Sequence, residues 1–299
     1  MMNMEEKAIK LIAESLEVAE KEVEDITVLK KGMTNRSFLF TSQGRKYILR
    51  IPGEGTDSLI NRRQEYAVYQ AVRGLGISDD IFYIDPENGY KITAYLDNAR
   101  TCDPENAKEV RACMKRLRDF HEMALKVEHT FDIYRQIEFY ESLWNGMPSC
   151  YGDYEETKKK VYELKSYVDA QSKTWVLTHI DAVPDNFLFV ENDMEDIELR
   201  LIDWEYAGMQ DPHVDIAMFA VYAMYDREKV ETLIDAYFLE GCSREVRLKL
   251  YCYIASCGLL WSNWCEYKRQ LGVEFGEYSL RQYQYAKEYY KIFQEESKG

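Results

Sequence analysis

Positive charge is scarce in this chain: 38 Lys and Arg stand against 53 Asp and Glu, a formal net charge of −15 over 299 residues. That balance argues against nucleic acid as a partner, and a small cationic molecule would be drawn to such a surface. Histidine is also rare. The four present, His121, His129, His179 and His213, lie at no ligand spacing from a cysteine, so a zinc site is not expected. The seven cysteines include no CxxC pair and are odd in number, which reads as free thiols in a reducing cytoplasm. No GxxxxGK[ST] loop occurs, so the P-loop class is disfavoured. The opening segment MMNMEEKAIKLIAESLEV alternates its charges and carries no apolar core. Neither a signal peptide nor membrane insertion is expected, and the protein is placed in the cytoplasm.

What is present falls into two compositional halves. After an N-terminal amphipathic helix come short β-favouring runs at 26–29, 37–41 and 46–51, separated by KKGMTN and SQG, which predicts an antiparallel meander. A helix is expected over 58–73, with Leu59, Tyr66 and Tyr69 on one side, and further strands at 81–84 and 90–95. The segment DNARTCDP reads as a connector. From Pro104 the pattern is helical, with a stripe of Val110, Cys113 or Met114, Leu117 and Phe120 and another helix at about 154–170. Helices resume at roughly 215–225, 228–239, 243–271 and 279–296. The expectation is an α+β fold of two lobes: an N-terminal antiparallel β-sheet lobe, 1–96, and a larger, mainly helical C-terminal lobe, 97–299.

Two β-like stretches interrupt the helical half, and between WVL and FLFV lies THIDAVPDN, residues 178–186. Asp181 and Asn186 are five apart, and Asp203 ends the next β-like run. A carboxamide and a carboxylate are hard oxygen ligands suited to magnesium, which leaves Asp181 to orient a hydroxyl and accept its proton. Polar turns joining strands would use the same residue types. The full H-x-D-x4-N spacing, followed by an apolar run and then an Ile-Asp, matches a phosphotransferase pattern.

HIDAVPDN together with LIDWEYAGMQDPHVDIAMF resembles the choline/ethanolamine kinase family, especially its bacterial LicA-type members, within the aminoglycoside phosphotransferase-like group. The resemblance covers nearly the whole chain and implies a protein-kinase-like fold. It further implies ATP and Mg2+ as cofactors, Asp181 as catalytic base, and Asn186 and Asp203 as metal ligands. His179 and Asp215 would be structural supports of the loop. Glu205 would be a second acidic residue near the metal, although a carboxylate in a turn fits it equally.

On the nucleotide side, the resemblance assigns Gly32, Thr34 and Asn35 to the loop over the ATP phosphates. Arg50, at the end of KYILR, would take the place of the kinase strand lysine, with Glu65 as its helix partner. Adenine would meet the backbone between Ala94 and Leu96.

For the acceptor, Trp261 and Trp264 are three apart and share a helical face, a wall that attracts a quaternary ammonium by cation–π contact or else packs in the core. GLLWSNW and EFGEY resemble the pocket segments of choline kinases, which adds Phe275. The family's eukaryotic members carry an acidic residue where this chain has Tyr222. The expected activity is phosphorylation of the choline hydroxyl to phosphocholine. Ethanolamine, another amino alcohol and an aminoglycoside are the alternatives.

Overall fold

The computed structural model describes residues 4–31, 35–53, 56, 59–191 and 197–298. By contacts the chain divides into two compact units, residues 1–101 with 187–207, and residues 102–186 with 208–299.

The first unit opens with helix α1 (Met4–Leu16) and strands β1 (Glu24–Lys31), β2 (Asn35–Ser42) and β3 (Arg45–Pro52). Helix α2 (Arg62–Val72) and strands β4 (Ile81–Ile84), β5 (Lys91–Ala94) and β6 (Ala99–Thr101) follow. Five strands form one sheet in the order β1-β2-β3-β5-β4, antiparallel in every pairing, so the meander extends through β3 and then crosses to β5. Alternation on β2 buries Phe38 and Phe40 on the face that also carries Tyr47, Leu49 and Ile92, and α1 covers it with Ala8 and Ile12. The unit is completed by β8 (Phe187–Glu191) and β9 (Ile197–Leu201), which pair antiparallel with β6 in the order β6-β8-β9.

Three expectations need correction. DNARTCDP is not only a connector, because Ala99–Thr101 pairs with Leu188–Val190. A strand of three residues has no period to read, and its partner lies far along the chain. Helix α2 is shorter than expected, and its buried face is Arg62, Glu65, Val68, Tyr69 and Val72. Leu59 lies before it. Arg62 and Glu65 are buried because they neutralise one another.

The second unit contains helices α3 (Ala107–Glu122), α4 (Ile133–Ser142) and α5 (Tyr154–Ala170), then strand β7 (Val176–Thr178). Strand β10 (Gly208–Gln210) and helices α6 (His213–Tyr222), α7 (Arg227–Tyr237), α8 (Arg244–Gln270) and α9 (Glu277–Glu296) complete it. Helix α4, capped by Asp132, was not expected; its IYRQIEFYES is rich in residues that favour strands as readily as helices. Strand β7 pairs with β10, so the two apolar runs flanking THIDAVPDN belong to different sheets. Helix α6 is buried from Val214 to Val221, and α8 is buried along most of its length. Gly258 lets α9 close on α8: a Cβ there would lie 2.6 Å from the Tyr285 Cβ and 2.7 Å from the Gln282 carbonyl oxygen. All seven cysteines are free thiols. Among the described residues no helix is long and apolar enough to cross a membrane.

Candidate active site

In the second unit, the segment after β7 turns sharply at Ile180, a buried β-branched residue with φ of +71°. That backbone region costs on the order of 1–3 kcal/mol and survives only where surroundings enforce it. Asp215, in the first turn of α6 and fully buried, supplies the enforcement. Its Oδ2 accepts the His179 N–H at 2.9 Å and its Oδ1 the Ile180 N–H at 2.7 Å. The carboxylate also lies 2.9 Å from His121 Nε2. A carboxylate only accepts, so Nε2 carries the proton. The His121 Nδ1 lies 2.8 Å from the Tyr237 hydroxyl, tying α3 and α7 to the same group. His121 was not singled out from sequence. Its signal was a rare histidine one turn beyond Leu117 on the buried stripe of α3.

The braced loop presents Asp181 and Asn186, both half-buried. Asn186, in a 3-10 turn begun by Pro184, donates through Nδ2 to the Asp181 carbonyl at 2.8 Å and to Asp181 Oδ2 at 3.0 Å. These bonds fix the Asp181 carboxylate and leave the Asn186 amide oxygen out of their geometry.

An aromatic chain runs to the same loop. Trp261 and Trp264 meet edge to face at 5.8 Å, Trp264 lies 5.0 Å from Phe275, Phe275 is 6.3 Å from Tyr278, and Tyr278 is 6.0 Å from Tyr222. The Tyr222 hydroxyl donates to Asp185 Oδ2 at 2.6 Å, two residues after Ala182–Val183 in the loop. Trp261 is only 8 % exposed and its N–H points at the Met218 sulfur, 3.1 Å away, so that ring is largely core. Trp264 is half-buried, with the Lys268 ammonium 5.4 Å from its ring. Burial pushes the Tyr222 hydroxyl well up, helped by Asp185 and by Asp181. Tyr278 is raised in the same way, with Asp181 among its causes. Tyr278 and Asp185 were not identified from sequence; they enter through packing of α9 and the loop against the end of α6.

In the first unit, Arg50 is the centre. Its Nη1 lies 2.5 Å from Asp203 Oδ1, its Nη2 bonds Glu205, and Glu65 is farther, at 3.8 Å. Burial opposes its charge, but Asp203, Glu205 and Glu65 raise its pKa well above the usual arginine value. Asp203 has φ of +65°, a conformation aspartate tolerates, and it is separated from the end of β9 by Ile202 alone. Burial pushes the Glu205 carboxyl up to about 7, against the pull of Arg50. Glu65 is closer to Arg62, at 3.0 Å, and to Lys91, at 3.3 Å, than to Arg50.

Of the remaining nucleotide-side residues, Gly32 and Thr34 lie outside the described residues, and Asn35 begins β2 opposite Pro52. Ala94 ends β5. Its N–H donates to the Asp80 carbonyl, and the Tyr95 N–H to the Lys46 carbonyl, so these two donors are already used; Leu96 follows, half-buried. Among the described residues no cluster of three or more His, Cys, Asp or Glu side chains is arranged to hold a metal.

Residues 26–237 match the family model described as choline/ethanolamine kinase. Protein LicA of Haemophilus influenzae is 30 % identical over 275 residues, spanning 84 % of this chain and 75 % of that protein. The crystal structure of the choline kinase LicA from Streptococcus pneumoniae superposes with a TM-score of 0.80 at 29 % identity, over 97 % of this chain and 100 % of that one. A LicA structure in complex with AMP gives 0.79, also at 29 % identity, over 98 % and 100 % of the two chains. The fold is thus the two-lobed α+β architecture of protein-kinase-like enzymes, with an antiparallel sheet lobe and a larger helical lobe. With its motif residues gathered in these two settings, the chain belongs to the choline/ethanolamine kinase family and is a LicA-type phosphotransferase.

Proposed function

We propose that the chain transfers the γ-phosphoryl group of ATP to the hydroxyl of choline, giving phosphocholine and ADP. The observation that carries the choline assignment is the aromatic chain from Trp264 through Phe275 and Tyr278 to Tyr222, which ends on Asp185 in the loop that holds Asp181. A trimethylammonium group cannot donate a hydrogen bond. It is held by aromatic faces and nearby negative charge, which these residues offer. Asp185 supplies the carboxylate that the Tyr222 position lacks.

Asp181 would accept the choline hydroxyl proton as the oxygen attacks phosphorus, its carboxylate aimed by the Asn186 amide. Asp215 would hold the loop in register through the His179 and Ile180 amides. Arg50 would bind phosphate oxygens of ATP, giving up its contacts with Asp203 and Glu205 to do so. Adenine would be read by the carbonyls of Ala94 and Tyr95 and by the backbone of Leu96, since the other two amides are taken. Asn35, the last of the residues assigned to the phosphate loop, would contact the ATP phosphates from the start of β2.

The donor set fits Mg2+. Asn186 keeps its amide oxygen clear of its own hydrogen bonds, Asp203 is one-third exposed, and a magnesium ion usually takes only one or two carboxylates plus waters and phosphates. When bound it would neutralise charge on the β- and γ-phosphates, with Asn186 and Asp203 as its protein ligands. The requirement for ATP and the free thiols support a cytoplasmic location.

The test is the initial rate of ADP release at fixed Mg-ATP with choline, ethanolamine or kanamycin as acceptor. We expect kcat/KM to be highest for choline. Turnover confined to ethanolamine or kanamycin would overturn the acceptor and return Trp264 to a packing role.

A further inference from the structure

Strand β10 hands over to helix α6 at Asp211, and that junction is tied to α8 by a buried ion pair. Asp211 and Lys249 are 0 % and 2 % exposed. Lys249 Nζ donates to Asp211 Oδ2 at 2.6 Å and to the Ser172 carbonyl at 3.0 Å. The Tyr253 hydroxyl, one turn further along α8, donates to the same carboxylate oxygen at 3.2 Å. Asp211 Oδ1 accepts the His213 N–H at 3.1 Å, and the Asp211 carbonyl accepts the Val214 N–H at 3.0 Å. A carboxylate this deeply buried stays ionised only because it is compensated in this way.

Two elements that shape the loop carrying Asp181 meet at the same junction. Strand β10 pairs with β7, Gly208 opposite Thr178 and Gln210 opposite Val176, and the Thr178 hydroxyl donates to the Gln210 carbonyl at 3.1 Å. Strand β7 leads directly into His179 and Ile180. Helix α6 carries Asp215 one turn after Asp211, and Asp215 accepts the His179 and Ile180 amides. Movement of the junction therefore shifts that carboxylate against the amides it holds, and a misplacement of about 1 Å far from the chemistry can cost on the order of 10²-fold in rate.

We propose that Lys249 is a positioning residue for phosphoryl transfer: by holding Asp211 to α8 it fixes where α6 begins, and so keeps Asp215 in register with the loop that presents Asp181. This rests on the loop role given to Asp215 above. Lys249 touches no substrate; it acts through Asp211. The neighbouring His213 reports on the same charge, since its Nδ1 lies 3.3 Å from Asp211 Oδ1. Burial lowers its pKa to about 4 against the pull of Asp211, with Lys249 and His121 adding to the lowering. Tyr237 of α7 packs edge-on against the ring, centres 6.3 Å apart. Without Lys249, His213 gains a proton more readily as pH falls and supplies Asp211 with the missing positive charge.

The experiment measures kcat and KM for choline phosphorylation by the full chain between pH 8 and pH 6, at a temperature where circular dichroism shows each variant folded. In Lys249→Met kcat at pH 8 falls about tenfold, the worth of one charge-assisted hydrogen bond, while KM for ATP holds. Lys249→Arg recovers most of the loss. Relative to wild type at each pH, the Lys249→Met deficit shrinks roughly threefold by pH 6, and adding His213→Gln abolishes that recovery. A substitution that merely destabilised the fold would leave no such signature. Lys249→Met combined with Asp211→Asn leaves no unpaired buried charge and keeps the test available if Lys249→Met does not fold. Its kcat is below wild type at every pH, with no recovery. Wild-type kcat in either variant, or a Lys249→Met deficit equal at pH 8 and pH 6, overturns the proposal. A low kcat in Asp215→Asn beside a wild-type value in Lys249→Met overturns the role of Lys249 alone. A wild-type kcat in Asp215→Asn overturns it together with the loop role of Asp215.

Discussion

Asp215 holds Ile180 in a conformation that a β-branched residue leaves when it can, and the loop's geometry depends on that one carboxylate. Asp215→Asn replaces one acceptor oxygen with a donor facing an N–H. We expect about 3 kcal/mol of lost stability, read from urea unfolding midpoints, and a lower kcat in the folded fraction. His213 offers a test of pH dependence. Burial, against the pull of Asp211, lowers its pKa from 6.5 to about 4. The unfolded chain therefore binds a proton between these values and the folded chain does not, so this residue's contribution is complete above pH 6.5 and is lost as pH falls toward 4. Its size is on the order of 3 kcal/mol. Urea unfolding at pH 7.5 and 5.5 should show a smaller acid loss in His213→Gln than in the wild type; equal losses would contradict the assignment. At this scale the motif residues Asp181, Asn186, Asp203 and Asp215 were legible because they cluster along the chain. Lys91, His121, Tyr278 and Asp185 were not, because packing of distant elements brings them to their partners.

Among the elements, α8 and α9 depend on Gly258 for their close approach. Gly258→Ala forces Tyr285 and the α9 backbone outward, and we expect a loss of about 1–3 kcal/mol, seen as a lower Tm, despite alanine's better helix propensity. An unchanged or higher Tm would show that α9 can shift without cost. The long helices were legible from their spacing, as was the meander from its turns. Strand β7 was legible in the apolar run WVL, but β6 and β10, of three residues each, were not, since they exist only through partners far along the chain. Helix α2 was legible as a helix and Tyr69 falls on its buried side as expected, but Leu59 lies before the helix and the burial of Arg62 was not foreseen, since it depends on the pairing with Glu65.

At the scale of the whole molecule, the net charge of −15 should gather a cationic acceptor. The KM for choline is expected to rise as salt increases toward 0.5 M, where the screening length has shortened to a few ångströms, while kcat changes little. A salt-insensitive KM would leave the aromatic chain as the only source of acceptor affinity. The two units carry different parts of the proposed chemistry. Arg50, Glu65 and Asp203 belong to one, while Asp181, Asn186 and the aromatic chain belong to the other. The claim that joins them is phosphoryl transfer to a choline oxygen with Asp181 as base. Phosphorus NMR of the purified protein with Mg-ATP and choline, beside Asp181→Asn, tests it most directly. The account predicts a phosphocholine resonance growing with ADP in the wild type and a rate lower by roughly 10²–10⁴ in the variant. ADP formed without phosphocholine, or equal rates in the two proteins, would contradict it.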